Sequence, residues 1–489
     1  MSFFIRGSAT KKKSVGKKDS SGKSKRDVST AAINKLRKKK AKLTEEIVSD
    51  SSDDEIDTPT NKRKVVPSSS ESESEEETAQ EKRLRLTKQY LAQLADEEKD
   101  NEDARDIDKD AIAHRLKEDV LELSGKLQRK VCQEYDFEAT PEMTVLRGHK
   151  LSITCLVVSP DNKYIFSASK ECCIIKWNIE TRQKEYIIPG GKKGTEDTHK
   201  GHTTHILALA ISSDGQFLAS GCRSKLIHIW NPSNGELLHT FRGHRDTVSG
   251  LTFRKGTHTL YSASHDRTAK VWNVDEMAYV ETLFGHQDSI TAIDSLSRER
   301  AITSGGRDNS IRVWKVIEES QLVYNTQGGS VDCVKLINEE HFISGSDDGS
   351  ISLWSVLKKK PAAVVKNAHS PKYDHISSDV SQKMETVISH EENWISSVAA
   401  LQSSDLVASG SKDSKIRLWQ CSEGFRSLIP LAGIEVAGFV NAMQFTSDGS
   451  LLVAGVGQEH RLGRWWKLKQ AKNNIVIIGL KKKATIKSV

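Results

Sequence analysis

Histidine, serine, aspartate and tryptophan recur at fixed spacings, and the first three are residue types that perform nucleophilic catalysis. In the complete sets a Gly-His pair precedes Trp by 28 residues, Ser precedes it by ten and Asp by six. A nucleophile is needed once, whereas a hydrogen-bonded chain from indole to hydroxyl, imidazole and carboxylate satisfies buried polar groups in every repeat. The repetition therefore favours structural tetrads, and the complete sets are His244, Ser262, Asp266 and Trp272, followed by His286, Ser304, Asp308 and Trp314.

The same register extends along the chain and predicts its fold. Successive tryptophans are 40 to 65 residues apart, around the period of WD40 propeller blades, and each unit has the pattern of four short strands. We therefore predict an all-β, seven-bladed WD40 β-propeller over residues 141–489, preceded by a charged tail and a short helical segment. The seven tryptophans that count the blades are Trp177, Trp230, Trp272, Trp314, Trp354, Trp419 and Trp465.

The last repeat and the ring closure depart from this pattern. The positions ten and six residues before the tryptophan of each repeat are called here the Ser column and the Asp column. In repeat seven Gly455 stands in the Ser column and Glu459 in the Asp column. Residues 144–146 and 475–480 both have the character of outer strands, which is one strand more than seven blades need. Which of the two closes the ring stays open at this stage.

The N-terminal part of the chain separates its charges. The net charge is +7 over 489 residues, but residues 1–42 hold fifteen Lys or Arg against two acids, and residues 43–80 hold twelve acids against three basic residues. Such segments cannot bury a core, so residues 1–77 are predicted to be a disordered tail.

Two kinds of signal lie in this tail. Its basic clusters predict nuclear import and loose contact with nucleic-acid phosphates, although a solvated, solubilising tail explains them as well. The import candidates are Lys11, Lys12, Lys13, Arg37, Lys38, Lys39, Lys40, Lys62, Arg63 and Lys64. Serines that precede acids are candidates for acid-directed phosphorylation, namely Ser51, Ser52, Ser70, Ser72 and Ser74.

Residues 78–135 are predicted to be helical. Leu116, Val120, Leu123, Leu127 and Val131 step by four, three, four and four, as one helical face requires. A helix docked on the protein's own core and a helix that binds a partner would bury the same stripe, so both interpretations stay open.

Composition excludes several classes of protein. No apolar run approaches the roughly 18 residues of a membrane span, and no signal-peptide pattern begins the chain, which argues against a membrane or secreted protein. The seven cysteines are dispersed without a Cys-x-x-Cys pair, as free thiols would be. With no glycine-rich phosphate loop either, we predict no metal site, no cofactor, no small-molecule substrate and no catalytic residue.

Cations cluster in the predicted turns around the Asp column. In WD propellers these turns and the Gly-His loops lie on one face, so their side chains share a surface. Four of six residues that directly precede the Asp column are basic, and arginine pairs bidentately with phosphate. A functional basic face and a chance enrichment of solvated side chains both remain possible. The candidates are Lys170, Arg223, Lys225, Arg245, Arg267, Arg307 and Lys412.

Four stretches carry a more specific resemblance. They are ETAQEKRLRL (77–86), LRGHKLSITCLV (146–157), VETLFGHQD (280–288) and VGQEHRLGRWW (456–466), of which the last is absent from generic WD repeats. With these stretches the chain resembles the WD-repeat family specific to the U3 small nucleolar ribonucleoprotein (snoRNP), from residue 77 to residue 480. Arg461 and Arg464 join the RNA-binding candidates because they lie in the last stretch, where a structural role in an atypical blade is the alternative.

The resemblance implies a nucleolar, non-catalytic component that binds U3 small nucleolar RNA (snoRNA) at its box B/C kink-turn region together with a small kink-turn protein. It would support early pre-rRNA cleavage and 18S rRNA production in the small-subunit processome, with box C/D proteins including fibrillarin as neighbours. The alternative function is a WD40 peptide-binding scaffold, such as a ubiquitin-ligase substrate receptor or chromatin reader. The 456–466 stretch favours the ribonucleoprotein role.

Overall fold

The computed structural model describes residues 85, 88, 115–121, 125–137, 139–192, 194, 199–370 and 393–483. The chain divides into two compact units, residues 1–86 and 87–489, and nearly all described residues belong to the second. The predicted import and phosphorylation candidates in residues 1–77 lie outside the described residues. Within the described part, no helix is both long enough and apolar enough to span a bilayer.

Seven antiparallel sheets of four strands each form a ring, which confirms the predicted seven-bladed β-propeller. Blade 1 contains β2 (Ile153–Val158), β3 (Tyr164–Ser169), β4 (Ile174–Asn178) and β5 (Lys184–Ile188). Blade 2 contains β6 (Ile206–Ile211), β7 (Leu218–Cys222), β8 (Leu226–Trp230) and β9 (Leu237–Arg242). Blade 3 contains β10 (Val248–Phe253), β11 (Thr259–Ser264), β12 (Thr268–Asn273) and β13 (Ala278–Phe284).

The remaining blades continue around the ring. Blade 4 contains β14 (Ile290–Ser295), β15 (Arg300–Gly305), β16 (Ser310–Lys315) and β17 (Ser320–Asn325). Blade 5 contains β18 (Val331–Leu336), β19 (His341–Ser346), β20 (Ile351–Ser355) and β21 (Ala363–Val365). Blade 6 contains β22 (Ser397–Ala400), β23 (Leu406–Gly410), β24 (Lys415–Cys421) and β25 (Leu428–Glu435). Blade 7 contains β26 (Phe439–Phe445), β27 (Leu451–Gly457), β28 (Asn474–Gly479) and β1 (Glu142–Arg147).

Burial explains why inner and outer strands differ in sequence. The inner strands β2 and β10 are buried at every residue and are rich in apolar and small side chains, since both of their faces pack against neighbouring blades. The outer strand β17 is mostly exposed and β9 is mostly half-buried or exposed, and both carry polar side chains among apolar ones. Each blade therefore buries its faces only when the ring is complete.

Blade 7 uses both candidate outer strands. β28 pairs with β27 as the third strand, and β1 from the start of the domain pairs with β28 as the fourth. The prediction that Trp465 marks the seventh blade is wrong, because this residue lies in the loop before β28 and is 64% exposed. The count of seven is right, and the ring closes by joining the two ends of the domain.

Side chains at the start of the inner strands join one blade to the next. Each donates a hydrogen bond to a backbone carbonyl of the following inner strand, over 2.5–2.9 Å. The five donors are Thr154 to Ile206, Ser249 to Ile290, Thr291 to Val331, Ser396 to Val440 and Asn441 to Ile153. Blade 2 has the apolar Leu207 at this place.

Asn441 makes the bond that closes the ring, and its loss will weaken the propeller. Its amide donates to Ile153 and to the Glu459 carbonyl (3.0 Å), and its oxygen accepts the Arg461 N–H (3.0 Å). Asn441→Leu keeps the branched shape of the side chain but leaves these buried groups unpaired, so we expect a loss of about 1–3 kcal/mol in urea unfolding. Thr154→Val, which removes one donor, will cost less; equal losses would contradict a special closing role.

The helix predicted to reach residue 135 ends earlier. Residues 115–121 are helical, Gly125 has φ +70°, and the Lys126 N–H donates to the Leu121 carbonyl (2.8 Å). A glycine in the left-handed conformation followed by such a bond is a helix terminator. Beyond it the only helical residues before β1 in the described part are the 3-10 turn Val131–Gln133. Leu127 and Val131 therefore do not continue a helical stripe with Leu116.

The segment after Gly125 packs on the blades instead. Leu127 and Tyr135 are buried, the Cys132 N–H donates to the Asp405 carboxylate (3.1 Å), and the Tyr135 hydroxyl donates to the Gly449 carbonyl (2.8 Å). These contacts lie on the turns between first and second strands of blades 6 and 7. Docking on the protein's own core thus describes residues 126–137, whereas Val120 upstream is 64% exposed.

Candidate functional site: the tetrad face of the propeller

Blade 3 shows how the repeated residues join. The Trp272 indole donates to the Ser262 hydroxyl (2.8 Å), which lies 2.7 Å from His244 Nε2, and His244 Nδ1 lies 2.9 Å from Asp266. Burial alone would raise the pKa of Asp266, but hydrogen bonds from His244 and Thr268 hold it well below its usual range. The carboxylate ties the loop before β10 to the β11–β12 turn, so both lie at one end of the propeller, called here the tetrad face.

Blade 4 corrects the predicted tetrad. Thr303, not Ser304, accepts the Trp314 indole N–H (2.8 Å) and contacts His286 Nε2 (2.7 Å). The cause is one extra residue in the β15–β16 turn: Thr303 precedes Asp308 by five positions, whereas Ser262 precedes Asp266 by four. Ser304 instead contacts the Thr291 hydroxyl (2.8 Å).

Blade 6 contains a tetrad histidine that sequence reasoning missed. His369 Nδ1 lies 2.8 Å from Asp413, and its Nε2 lies 2.8 Å from Ser409, which accepts the Trp419 indole N–H. His369 precedes Ser409 by 40 residues, against 18 in blade 3, because an insertion separates them. The Ser, Asp and Trp columns of this repeat were the available signal, since they imply a histidine upstream.

Blade 1 holds the one cluster among the described residues whose ligand atoms could surround a metal ion. His149, Glu171 and Cys173 place these atoms within 4.8 Å of one another. The Cys173 thiol takes the place of the Thr268 hydroxyl of blade 3 and donates to Glu171 (3.2 Å). Burial and the adjacent Glu171 raise the pKa of Cys173 to about 12, so the thiol acts as a hydrogen-bond donor in a variant tetrad.

Five predicted RNA-binding cations are exposed on the tetrad face. None of them is ion-paired to another described residue, and they are Arg223, Lys225, Arg245, Arg267 and Arg307. The blade 4 turn has one extra residue, Arg307. Gly306 and not Arg307 is therefore equivalent to Arg223 of blade 2, since the backbone N–H of each donates to the loop before its own inner strand. Acids such as Asp246 and Asp347 are exposed on the same face, so its positive charge is discontinuous.

Two of these cations have unusual backbone conformations. Lys225 and Arg267 have φ values of +72° and +68°, in the left-handed region that favours glycine. The equivalent turn residue of blade 5 is Gly349, with φ +75°. A long basic side chain at this position costs about 1–2 kcal/mol of backbone energy relative to the right-handed region. The turn geometry therefore does not explain why lysine and arginine stand there.

Lys170 is not an exposed cation, contrary to its predicted place on the basic surface. It is 4% exposed, and its ammonium contacts the Glu459 carboxylate (3.4 Å) and the Gly463 carbonyl (3.2 Å). Burial lowers the pKa of Lys170, while Glu459 acts in the opposite direction. Glu459 also pairs with Arg464 at 3.1 Å, so this predicted RNA-binding arginine, although exposed, is shared with a structural carboxylate.

Arg461 projects to the central channel, a space of about 140 Å³ lined by the inner strands of all seven blades. Its guanidinium donates to the Asp332 carbonyl of blade 5 (3.2 Å), although Arg461 follows β27 of blade 7. Burial raises the pKa of Asp332 to about 6, and the nearby Arg461 opposes this rise. Arg461 therefore anchors its loop across the channel mouth, which supports the structural alternative for this residue.

The same loop places aromatic side chains on the tetrad face. Trp465 and Trp466 are 64% and 44% exposed, and both rings lie within 6.4 Å of the Trp394 ring centroid. His460 is buried and lies 4.2 Å from Trp394. The sixth predicted cation of the turns, Lys412, is half-buried with its ammonium 4.8 Å from the Trp466 centroid. Sequence analysis counted Trp465 as the tryptophan of the seventh blade and so missed this cluster.

Comparison with known proteins agrees with this architecture. The model of the WD domain, G-beta repeat, matches residues 140–178, 195–231, 235–273, 277–315, 319–355 and 381–420. The chain is 55% identical over 407 residues to U3 small nucleolar RNA-interacting protein 2 of Mus musculus, covering 83% of each chain. It is 28% identical to Ribosomal RNA-processing protein 9 of Saccharomyces cerevisiae, covering 81% of this chain and 88% of that protein.

A solved structure is similar over a large part of this chain. The structure described as "Structure of U3-55K" matches with a TM-score of 0.63 and 56% identity, covering 69% of this chain and 98% of that chain. The identity and coverage exceed what a shared fold alone requires.

Proposed function

The chain belongs to the WD-repeat family of the U3 small nucleolar ribonucleoprotein, and from this premise we propose that it is a non-catalytic component of that particle which contacts U3 snoRNA directly. It binds the box B/C kink-turn region together with a small kink-turn protein, in the company of box C/D proteins such as fibrillarin. The particle serves early pre-rRNA cleavage and 18S rRNA production in the nucleolus. The basic clusters of residues 1–77 bring the chain to the nucleus.

Relatives named for U3 RNA and ribosomal RNA processing support the choice of RNA. The observation that carries a direct RNA contact is the set of exposed cations on the tetrad face, two of which occupy backbone conformations that their side chains do not favour. Because acids interrupt this face, the cations fit separated phosphates of a folded RNA better than a continuous duplex backbone.

A salt-titrated binding measurement tests the proposal. The full chain is titrated against U3 box B/C RNA with and without the kink-turn protein, and against an RNA with a mutated kink-turn. We expect tight binding only with the intact element and the protein, with affinity falling steeply as salt rises. Equal binding to the mutated RNA would reduce the interaction to nonspecific charge attraction and favour a peptide-binding scaffold.

Glycine substitution separates the RNA role of the turn cations from their fold role. Lys225→Gly and Arg267→Gly relieve the left-handed backbone, so the free energy of unfolding will stay unchanged or rise by up to about 1 kcal/mol. Binding to the RNA and kink-turn protein will weaken, and the salt slope will fall by about one per lost phosphate contact.

The matched control is Asn309→Gly, which changes the same turn position of blade 4 (φ +50°) without removing a cation. It will leave affinity and salt slope unchanged. If the two cation variants bind RNA like the parent chain, these turns do not contact phosphate.

A further inference from the structure

The loop of residues 459–467 presents two tryptophans to solvent on a rigid support. Its ends are joined by a bridge between Glu459 and Lys467, and Arg461 fixes it to Asn441 and to the Asp332 carbonyl. A ring held by such anchors loses little freedom when a flat partner stacks on it. Two adjacent exposed indoles on such a loop form a contiguous apolar surface, which is the kind of patch that marks an interaction site.

Trp465 is the more open of the two rings. Trp466 has the Lys412 ammonium over its ring and Trp394 against its edge (interplanar angle 80°). Trp465 is 64% exposed, and Gly463 lies so close to its ring that a Cβ there would approach to 2.8 Å. The glycine lets the loop fold directly beneath the indole, and although the Trp394 and His460 rings lie 6.4 and 6.1 Å from it between centroids, most of the Trp465 side chain stays exposed.

The charges around Trp465 select the partner. Residues 463–473 contain four basic residues and no acid, and all four are exposed: Arg464, Lys467, Lys469 and Lys472. The neighbouring carboxylate, Glu459, is buried and ion-paired with Lys170, Arg464 and Lys467. An aromatic face within an acid-free basic segment is the combination that binds unpaired nucleotides, with stacking for the base and cations for its phosphates.

We propose that Trp465 stacks on an unpaired base of the bound RNA, and that the cations of residues 463–473 hold the flanking phosphates. This inference rests on the proposed function and adds to it a base-contacting residue outside the tetrad turns. Because a π-face is common to all bases, the stack reads whether a base is unpaired and accessible rather than which base it is.

The experiment uses the full chain with its kink-turn protein and the U3 box B/C RNA. Trp465→Ala will reduce affinity roughly 5- to 150-fold, the range of one base stack. Trp465→Phe will restore much of the loss, because a smaller aromatic ring still stacks. The control is Phe284→Ala, which removes an aromatic side chain that is 71% exposed on the outer strand β13, outside the basic segment; it will bind normally.

A scan of abasic substitutions through the unpaired positions of the RNA identifies the partner base. Removing the base at one position will weaken RNA binding by the parent chain but not by Trp465→Ala. The salt slope of binding will be the same for both proteins, because a stacked base contributes no charge. Trp465→Ala binding within twofold of the parent would overturn the stack while leaving the proposed function intact. The stack would also be overturned if Trp465→Ala lost binding, Trp465→Phe did not restore it, and no abasic position affected the two proteins differently. If the parent chain binds the mutated kink-turn RNA as tightly as the intact RNA, the proposed function itself is wrong, whatever the effect of Trp465→Ala.

Discussion

Asp266→Ala will destabilise the propeller by about 2–4 kcal/mol, measured as the shift of its urea unfolding midpoint at constant slope. The Asp266 carboxylate accepts hydrogen bonds from the Arg245 N–H (2.8 Å), the Thr268 N–H (3.0 Å), the Thr268 hydroxyl (2.6 Å) and the His244 ring. Alanine leaves these donors without an acceptor in a site where the His244 side chain is fully buried. The series of hydrogen bonds from Trp272 through Ser262 and His244 also loses its final acceptor.

Blade 2 provides the control, because it folds without this carboxylate. Ser224 stands in the Asp column there, and His202 Nδ1 has no hydrogen-bond partner among the described residues. Ser224→Ala removes no acceptor from its histidine and will cost less than about 1 kcal/mol. Comparable losses at the two positions would mean that the tetrad carboxylate adds little to the fold.

The repeat spacing predicts the fold well because it reports a constraint that every blade shares. A buried indole, hydroxyl and imidazole must meet at one place, so Trp272, Ser262 and His244 keep fixed separations in the chain. The same reasoning fails where the chain adds residues between them. One inserted turn residue moves the blade 4 hydroxyl from Ser304 to Thr303, and an insertion hides His369 of blade 6 from a search at constant spacing.

The candidate site is less predictable, since it depends on which side chains the fold buries. A basic residue before the Asp column looks alike in each repeat that has one, yet Lys170 is buried and Lys412 half-buried, whereas Arg223 is exposed. Trp465 lies at a blade-like distance from Trp419, but β28 and not the Trp465 segment forms the third strand of blade 7. The spacing of residues along the sequence does not show whether a segment forms a strand of the sheet or a loop outside it.

The ion pair between Lys170 and Glu459 will show an asymmetric response to substitution. Glu459→Gln removes the only carboxylate that contacts Lys170 among the described residues and leaves the charge of a residue that is 4% exposed without a counter-charge, so we expect a loss of about 3–5 kcal/mol at neutral pH. Lys170→Met will cost less, because Glu459 keeps Arg464 at 3.1 Å and Lys467 at 3.9 Å. Thermal or urea unfolding of both variants measures the difference.

The double variant decides whether the pair acts as an anchor for the loop. With Lys170→Met and Glu459→Gln together no charge stays buried, and the loss should be clearly smaller than the sum of the single losses. RNA affinity and salt slope of Lys170→Met should stay close to those of the parent chain, because Lys170 is buried and Glu459 keeps its pairs with Arg464 and Lys467. A reduced slope would instead return Lys170 to the RNA-binding surface on which its position in the sequence first placed it.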